Sequence, residues 1–251
     1  MDIGFRNKTV LITGATRGIG KQLAHDFQTL GANLILTGTR PEEIRRLNEA
    51  LEEKNNKPKV TYHCADFSNE GSLLSFIQEL RKYERIDICV NNAAINRINY
   101  IYDALYTDWD DILNVNLRAP FAIIHDVSQI MKKNGYGRIV NIASIFGVIS
   151  KEKRAIYSSS KSGLVGLTRA AAVDLAPYDI LVNCVSPGFV LTELTKQILT
   201  EAEIRDLTAS VPLGRMAVPE DISKVVLFLS SELNTYITGQ NIIVDGGYVS
   251  I

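Results

Sequence analysis

Short runs rich in β-branched residues alternate with longer amphipathic runs along almost the whole chain, and this alternation restricts the fold more than any single motif does. Strands are expected at Thr9–Thr13, Asn33–Thr37, Val60–Cys64, Ile86–Asn91, Arg138–Ala143, Ile180–Val185 and Asn241–Val244. Helices are expected at Gly18–Leu30, Glu42–Lys54, Ser72–Tyr83, Trp109–Lys133, Ala155–Leu175 and Pro219–Ser230. Strands that are apolar along their length, separated by helices, imply a parallel sheet covered on both faces, an α/β doubly wound sheet of Rossmann type. With 251 residues, no linker-like composition shift and no repeat, one domain is expected over residues 1–251. One stretch breaks the rhythm. After Ser186-Pro187-Gly188 the chain runs to about Arg215 with helix-like patches and no strand. An excursion beyond the carboxyl end of a strand is where a lid over a ligand sits, so a substrate lid is expected at about 188–215.

Composition excludes several classes. Lys and Arg number 27 against 28 Asp and Glu, a formal net charge of -1, so no global basic field points to nucleic acid or an anionic membrane. No basic leader followed by an apolar run opens the sequence, and no apolar stretch approaches the roughly 18 residues of a membrane span. A cytoplasmic protein is expected. Cys64, Cys89 and Cys184 lie in or beside strand-like runs without CxxC spacing, which argues for buried, inert thiols rather than a disulfide framework or a zinc site. His25, His63 and His125 share no ligand spacing, and no metal is expected. Trp109 is expected to pack.

Two constellations carry chemistry. Thr13-Gly-Ala-Thr-Arg-Gly18-Ile-Gly20 is a glycine-rich turn between a strand and a helix, the device that cradles a pyrophosphate. Gly14 permits the tight turn, Gly18 the close approach of backbone to phosphate, and Gly20 the packing of helix on strand. Its GxxxGxG spacing differs from the GxGxxG of the longer dinucleotide-binding fold, and glycines alone also serve purely structural strand-to-helix turns. The second constellation is Tyr157-Ser-Ser-Ser-Lys161, with two side chains one helical turn apart on one face. A free phenol has a pKa near 10, and a nearby ammonium lowers it toward a useful proton donor.

In order and interval, these residues resemble the short-chain dehydrogenase/reductase family over nearly the whole chain. The likeness rests on Thr13-Gly14-x-x-x-Gly18-Ile19-Gly20, Asp66, Asn91-Asn92-Ala93-Ala94, Asn116, Ser144, Tyr157-x-x-x-Lys161, Pro187-Gly188 and Asp245-Gly246-Gly247. Ala94 departs from the family's usual glycine. The resemblance implies seven parallel strands and NAD(P)-dependent interconversion of a secondary alcohol and a ketone. In it Tyr157 is the proton donor, Ser144 the partner of the reacting oxygen, Lys161 the group that lowers the tyrosine pKa and holds the nicotinamide ribose, and Asn116 the holder of a water linking Lys161 to solvent. A polar residue inside a helix also commonly bonds nearby backbone, which is the simpler role for Asn116. Cofactor contacts are expected from Gly14, Thr16, Arg17, Gly18, Ile19, Gly20, Gly38, Thr39, Arg40, Asp66, Phe67, Asn92, Ala93, Ala94, Tyr157, Lys161, Pro187, Gly188, Val190 and Thr192.

Charge selects the cofactor. An NAD enzyme of this type ends its second strand with an acid that accepts from the ribose 2′-hydroxyl and repels a 2′-phosphate. Here the position is Gly38, with Arg17, Thr39 and Arg40 around it, so NADP(H) is expected. For the substrate, two subgroups of the family are similar: 3-oxoacyl-acyl-carrier-protein reductases and sugar-acid dehydrogenases. Carrier docking in the first uses a base at the position that aligns with Val173. Asn92-Ala-Ala-Ile-Asn96-Arg97 and Trp109-Asp-Asp-Ile look like the second. Asn96, Arg97, Phe146, Lys151 and Arg154 are the candidate substrate contacts, with Arg97 and one cation of Lys151-Glu-Lys153-Arg154 gripping a carboxylate or phosphate. A small polar substrate is therefore expected, with carrier-linked acyl reduction as the alternative and a non-catalytic dinucleotide sensor as a distant third. Apolar residues on Trp109–Lys133 and Ala155–Leu175, and the apolar C-terminus Tyr248-Val-Ser-Ile251, lead to the expectation of a homotetramer, as in the family.

Overall fold

Every expected strand forms, and all pair in parallel. The computed structural model describes residues 3–52, 58–193, 195 and 200–250. Among them, β1 (Thr9–Ile12), β2 (Asn33–Gly38), β3 (Val60–Cys64), β4 (Ile88–Asn91), β5 (Gly137–Ile142), β6 (Ile180–Pro187) and β7 (Asn241–Val244) build one sheet in the order β3-β2-β1-β4-β5-β6-β7. The direction of winding reverses between β1 and β4, where Ile12 lies in register with Val90. Ligands of open α/β sheets bind at such a switch, outside the carboxyl ends of the strands.

The helices are α1 (Gly18–Thr29), α2 (Pro41–Glu52), α3 (Glu70–Leu80), α4 (Tyr106–Leu113), α5 (Ala119–Asn134), α6 (Ala155–Leu175), α7 (Glu201–Ala209) and α8 (Pro219–Ser230). Alternating strand residues feed two cores. Leu11 and Ile35 face a cluster with Phe76 and Val127, whereas Val10, Ile12 and Leu34 face a cluster with Leu23, Phe27, Ile222 and Val226. Burial on both sides is why these strands read as continuous apolar runs. β5 and β6 are buried at every position, and truncating such a Leu or Ile to Ala costs roughly 2–5 kcal/mol.

Some boundaries move for local reasons. α3 starts at Glu70 rather than Ser72 because the Asn69 side chain accepts from Ser72 N at 2.9 Å and caps the helix. The expected helix Trp109–Lys133 starts earlier, at Tyr106, and is interrupted by a π-helical turn at Asn114–Arg118, a feature common at functional sites. Of the helix expected at Glu42–Lys54, residues 53 and 54 lie outside the described residues, as do 194 and 196–199 of the expected lid. The ends of that excursion are pinned together: Leu191 N donates to Ala217 O at 2.8 Å and Ala217 N to Phe189 O at 2.9 Å, a short parallel bridge where no strand was expected. Within it, Thr200 and Glu203 form a capping box at the start of α7.

Two packing expectations need correction. Cys89 and Cys184 are buried, but Cys64 is exposed because it ends the edge strand β3. Burial pushes the Cys184 thiol up to about 11 and that of Cys89 higher still, so neither ionises readily. Trp109 is 44 % exposed, since Asp108 and Ile112 supply the buried face of α4. No helix among the described residues is long and apolar enough to cross a membrane, and they hold no His/Cys/Asp/Glu group suited to a metal.

Candidate active site

The glycine turn is stitched to the end of β4. Thr13 Oγ1 accepts from the backbone amides of Asn92 and Ala93, both at 3.0 Å, while Asn92 Nδ2 donates to Thr13 O at 2.9 Å and Gly14 O at 3.0 Å. Gly14 has φ +65°, and a Cβ there would lie 2.9 Å from Ala93 Cα, so turn and neighbour together demand glycine. A Cβ on Gly20 would lie 2.2 Å from Gly14 O and 2.5 Å from Asn92 Nδ2: this glycine admits the turn itself as well as helix packing. No side chain caps α1 and no acid stands in its first turn, which leaves the amide groups of its N-terminus for an anion. Ile19 is half-buried in this turn.

The other expected cofactor residues fall around the same crevice. Thr192 approaches Gly18, whose Cβ position is 3.5 Å from Thr192 Cγ2. Gly188, just after Pro187, packs against Asp245, where a Cβ would lie 2.8 Å from Cα. Val190 holds the base of the excursion through its bridge to Ala217. Gly38 is crowded, with Thr16 Cγ2 at 2.5 Å and Ile44 Cδ1 at 2.8 Å from a Cβ built there. Thr39, Asp66 and Ala94 are exposed, and Phe67 is buried. Asp66 Oδ1 accepts from Ser68 N and Ser68 Oγ at 3.0 and 2.7 Å, holding this loop. The two candidate 2′-phosphate cations differ. Arg40 is paired with Glu43 at 3.0 Å, whereas Arg17 is exposed and its guanidinium, among the described residues, makes no hydrogen bond or ion pair.

Ser144 follows β5 and accepts from Phe146 N at 3.1 Å; its side chain lies close enough to the Tyr157 phenol to oppose the rise of that group's pKa. Lys161 is 1 % exposed, its Nζ donating to Ile142 O at 2.8 Å and lying 5.7 Å from the Tyr157 ring centroid. Burial brings its pKa down to about 8. The expectation that Lys161 lowers the Tyr157 pKa is not met in this state. Burial raises the phenol above its ordinary value, and the groups that oppose this are the neighbouring Ser144 side chain and the charge of Arg154. Asn116 sits fully buried in the π-turn, its amide accepting from Ile95 N and donating to Ile95 O, both at 2.9 Å, and donating to Ser160 Oγ at 3.1 Å. The side chain thus ties the π-turn to the loop after β4 and to the residue before Lys161.

The substrate candidates separate. Arg97, expected to grip an anion, is already held by Asp108 and Asp111 at 2.8 Å each. Asn96 and Lys151 are exposed, and Lys153 stands 4.6 Å over the Tyr100 ring. Arg154 and Phe146 do reach the site: the guanidinium carbon is 5.7 Å from the Phe146 ring, and its charge acts on Tyr157. Sequence reasoning missed the aromatic wall continuing from Phe146, which meets Phe189 edge-on at 6.5 Å, with Tyr248 5.0 Å beyond. Position alone could have found them, since Phe189 follows Pro187-Gly188 and Tyr248 follows Gly246-Gly247. Tyr248, expected in a subunit contact, packs within its own chain, and Ile251 lies outside the described residues.

A pyrophosphate cradle at the switch point beside a neighbouring Ser–Tyr pair and a buried lysine defines a dinucleotide-dependent oxidoreductase. Comparison with known proteins agrees. A family model described as Enoyl-(Acyl carrier protein) reductase matches residues 14–249. The chain is 39% identical over 250 residues to a 3-oxoacyl-[acyl-carrier-protein] reductase of Aquifex aeolicus, covering 98% of this chain and 99% of the relative. Among solved structures it resembles a putative NAD(P) dependent gluconate 5-dehydrogenase from Beutenbergia cavernae with bound NADP, at TM-score 0.91 and 31% identity over 99% of both chains. It also resembles ElxO with NADP bound, at TM-score 0.88 and 30% identity, covering 97% of this chain and 99% of that one. The chain belongs to the short-chain dehydrogenase/reductase family, oxidoreductases acting on CH–OH groups.

Proposed function

We propose that this protein is an NADP(H)-dependent enzyme interconverting a secondary alcohol and a ketone on a small polar substrate of the sugar-acid or hydroxy/keto-acid type, with Asn116, Ser144, Tyr157 and Lys161 as its working set. The observation that carries it is the placement of Ser144, just beyond β5, beside Tyr157, which stands one helical turn from a buried lysine. When bound, NADP(H) supplies or takes up the hydride. In reduction, as the carbonyl carbon gains that hydride and the C=O π pair moves onto oxygen, the oxygen would take the Tyr157 proton. Ser144 donates a hydrogen bond to the oxygen as its charge grows. Lys161 and Asn116 sit behind Tyr157, where its proton is replenished.

The residues present fit NADP(H). The uncapped start of α1 suits the pyrophosphate, Gly38 brings no carboxylate to the end of β2, and the unpaired Arg17 is available to a 2′-phosphate. Two structurally similar proteins hold NADP, which supports the assignment.

The small-substrate reading is supported by Val173, an uncharged residue 76 % exposed on α6 where similar carrier reductases use a base. The second reading, 3-oxoacyl-acyl-carrier-protein reduction, draws on the names of the curated relatives. Measuring kcat/KM for acetoacetyl-carrier protein beside keto sugar acids, at low and moderate salt, separates them, because attraction to an acidic carrier weakens as salt screens it. A carrier-linked substrate that wins by more than tenfold with strong salt dependence transfers the function to the second reading. A non-catalytic sensor would consume no NADPH with any ketone. The enzyme works as a cytoplasmic homotetramer.

A further inference from the structure

We infer that Arg154 is the anion anchor of the substrate site and that its guanidinium takes a carboxylate carried by the compound whose carbonyl is reduced. This rests on the reading above that Tyr157 protonates a ketone oxygen.

Three observations converge on this side chain. First, Nε and Nη1 of Arg154 are sealed from solvent without a hydrogen-bond partner, and the guanidinium makes no ion pair among the described residues. Unpaired charged donors shut away from water are costly, and native chains keep them chiefly where a partner arrives. Second, Arg154 lies against Phe146 and acts electrostatically on Tyr157, so an anion on it belongs to the molecule at the proton donor. Third, two of the other candidate cations are already engaged, Arg97 by Asp108 and Asp111 and Lys153 over Tyr100, while Lys151 is solvent-exposed rather than sealed in the site.

The chemistry of the ligand follows. A guanidinium keeps its charge and offers planar, forked donors that match a carboxylate. The one sealed cation balances a monoanion, whereas a phosphate dianion would call for a second positive group, for which exposed Lys151 is the candidate that the phosphate probe tests. Arg154 stands three residues before Tyr157, at the entrance to α6, so carboxylate and carbonyl are held close together. The substrate class is a short 2- or 3-oxo acid or the matching hydroxy acid.

The test compares each acid with its own neutral ester. Wild type, Arg154→Gln and Arg154→Lys are assayed with NADPH on pyruvate and acetoacetate beside ethyl pyruvate and ethyl acetoacetate, with dihydroxyacetone phosphate as a phosphate probe. Calorimetric titration of the same compounds into enzyme saturated with NADP+ gives a second readout that needs no turnover. The expected wild-type preference for acid over ester in kcat/KM is at least roughly tenfold, the usual scale of a charge-assisted hydrogen bond in a desolvated site. That ratio falls to near one in Arg154→Gln and stays partly in Arg154→Lys. Carboxylate binding in the titration falls in parallel. An unchanged acid-to-ester ratio in Arg154→Gln, wild-type preference for the esters, or preference for dihydroxyacetone phosphate overturns the assignment. If wild type reduces none of these ketones, the reading as a small-ketone reductase fails; the titration still decides whether Arg154 holds a carboxylate, by its loss or persistence in Arg154→Gln.

Discussion

Lys161 Nζ donates to the carbonyl oxygen of Ile142 at 2.8 Å, which ties the middle of α6 to the last residue of β5 and fixes Tyr157 relative to Ser144 two residues beyond that strand. The bond is made at a cost. With its pKa down at about 8 against an ordinary 10.5, Lys161 in the folded protein holds fewer protons than the unfolded chain between those values. Stability therefore rises with pH across that window and is lowest below it. Lys161→Met removes the buried charge. We expect a higher Tm at pH 7, a flatter Tm profile from pH 8 to 10 and no turnover. Thermal melts at both ends of the window check this, and a Met variant with the wild-type slope would refute the buried-charge account.

Tyr157→Phe keeps the ring and loses the proton. Its turnover is expected to fall by roughly 10²–10⁴-fold, the usual scale of general acid catalysis, while NADPH binding stays within a few-fold of wild type. Because burial raises the phenol above its ordinary value, the deficit should be the same at pH 7 and pH 9. Near-normal turnover in steady-state assays would remove Tyr157 from the mechanism.

For the cofactor, Arg17→Ala should raise the NADPH KM by about tenfold and leave that for NADH little changed, since it deletes one charge-assisted contact to the 2′-phosphate. Arg40→Ala should do less, because Arg40 is already paired with Glu43. Placing an acid at Gly38 is not a clean switch to NADH: its Cβ would meet Thr16 Cγ2 at 2.5 Å and displace the turn that holds the phosphates. A wild-type enzyme that uses NADH better than NADPH would contradict this account of β2.

The fold was legible because its signals are local and repeated. Buried strands announce themselves as apolar runs, and Gly14 shows up in sequence because the left-handed backbone it supplies is costly for other residues. Pairings between segments distant in sequence were not legible. Nothing local shows that Arg97 is spent on Asp108 and Asp111, or that Asn116 bonds Ile95, since those partners meet only when the loop after β4 folds over α4 and the π-turn. Tyr157 and Lys161 were placed correctly as neighbours, but their electrostatics depend on burial: for the phenol, desolvation outweighs Ser144 and the charge of Arg154, and it depresses the Lys161 ammonium as well.

Arg97 gives a control that separates charge from position. Held by two carboxylates, it braces the loop after β4 against α4. Arg97→Ala is expected to cost on the order of 1 kcal/mol of stability, since the pairs are partly exposed, and to leave the acid-to-ester ratio of substrates intact. A collapse of that ratio in kinetic assays would show that Arg97 binds the anion after all.

The assembly prediction rests on a groove of about 460 Å³ lined by Asp110, Leu113, Asn114, Leu117, Arg118, Phe121 and Leu167, across α4, the π-turn, α5 and α6. Phe121 is 56 % exposed there, an apolar ring that its own chain covers only in part. Closed assemblies with two-fold axes bury the same patch from both subunits, so a ring and a groove on one face can serve each other. A carboxylate in place of that ring would face its own copy across the axis with no water to screen it. We expect the wild-type enzyme to scatter light as a tetramer at micromolar concentration and Phe121→Glu to dissociate into smaller species with unchanged circular dichroism. A wild type that stays monomeric at that concentration, or a Phe121→Glu variant that stays tetrameric, would take this face out of the assembly.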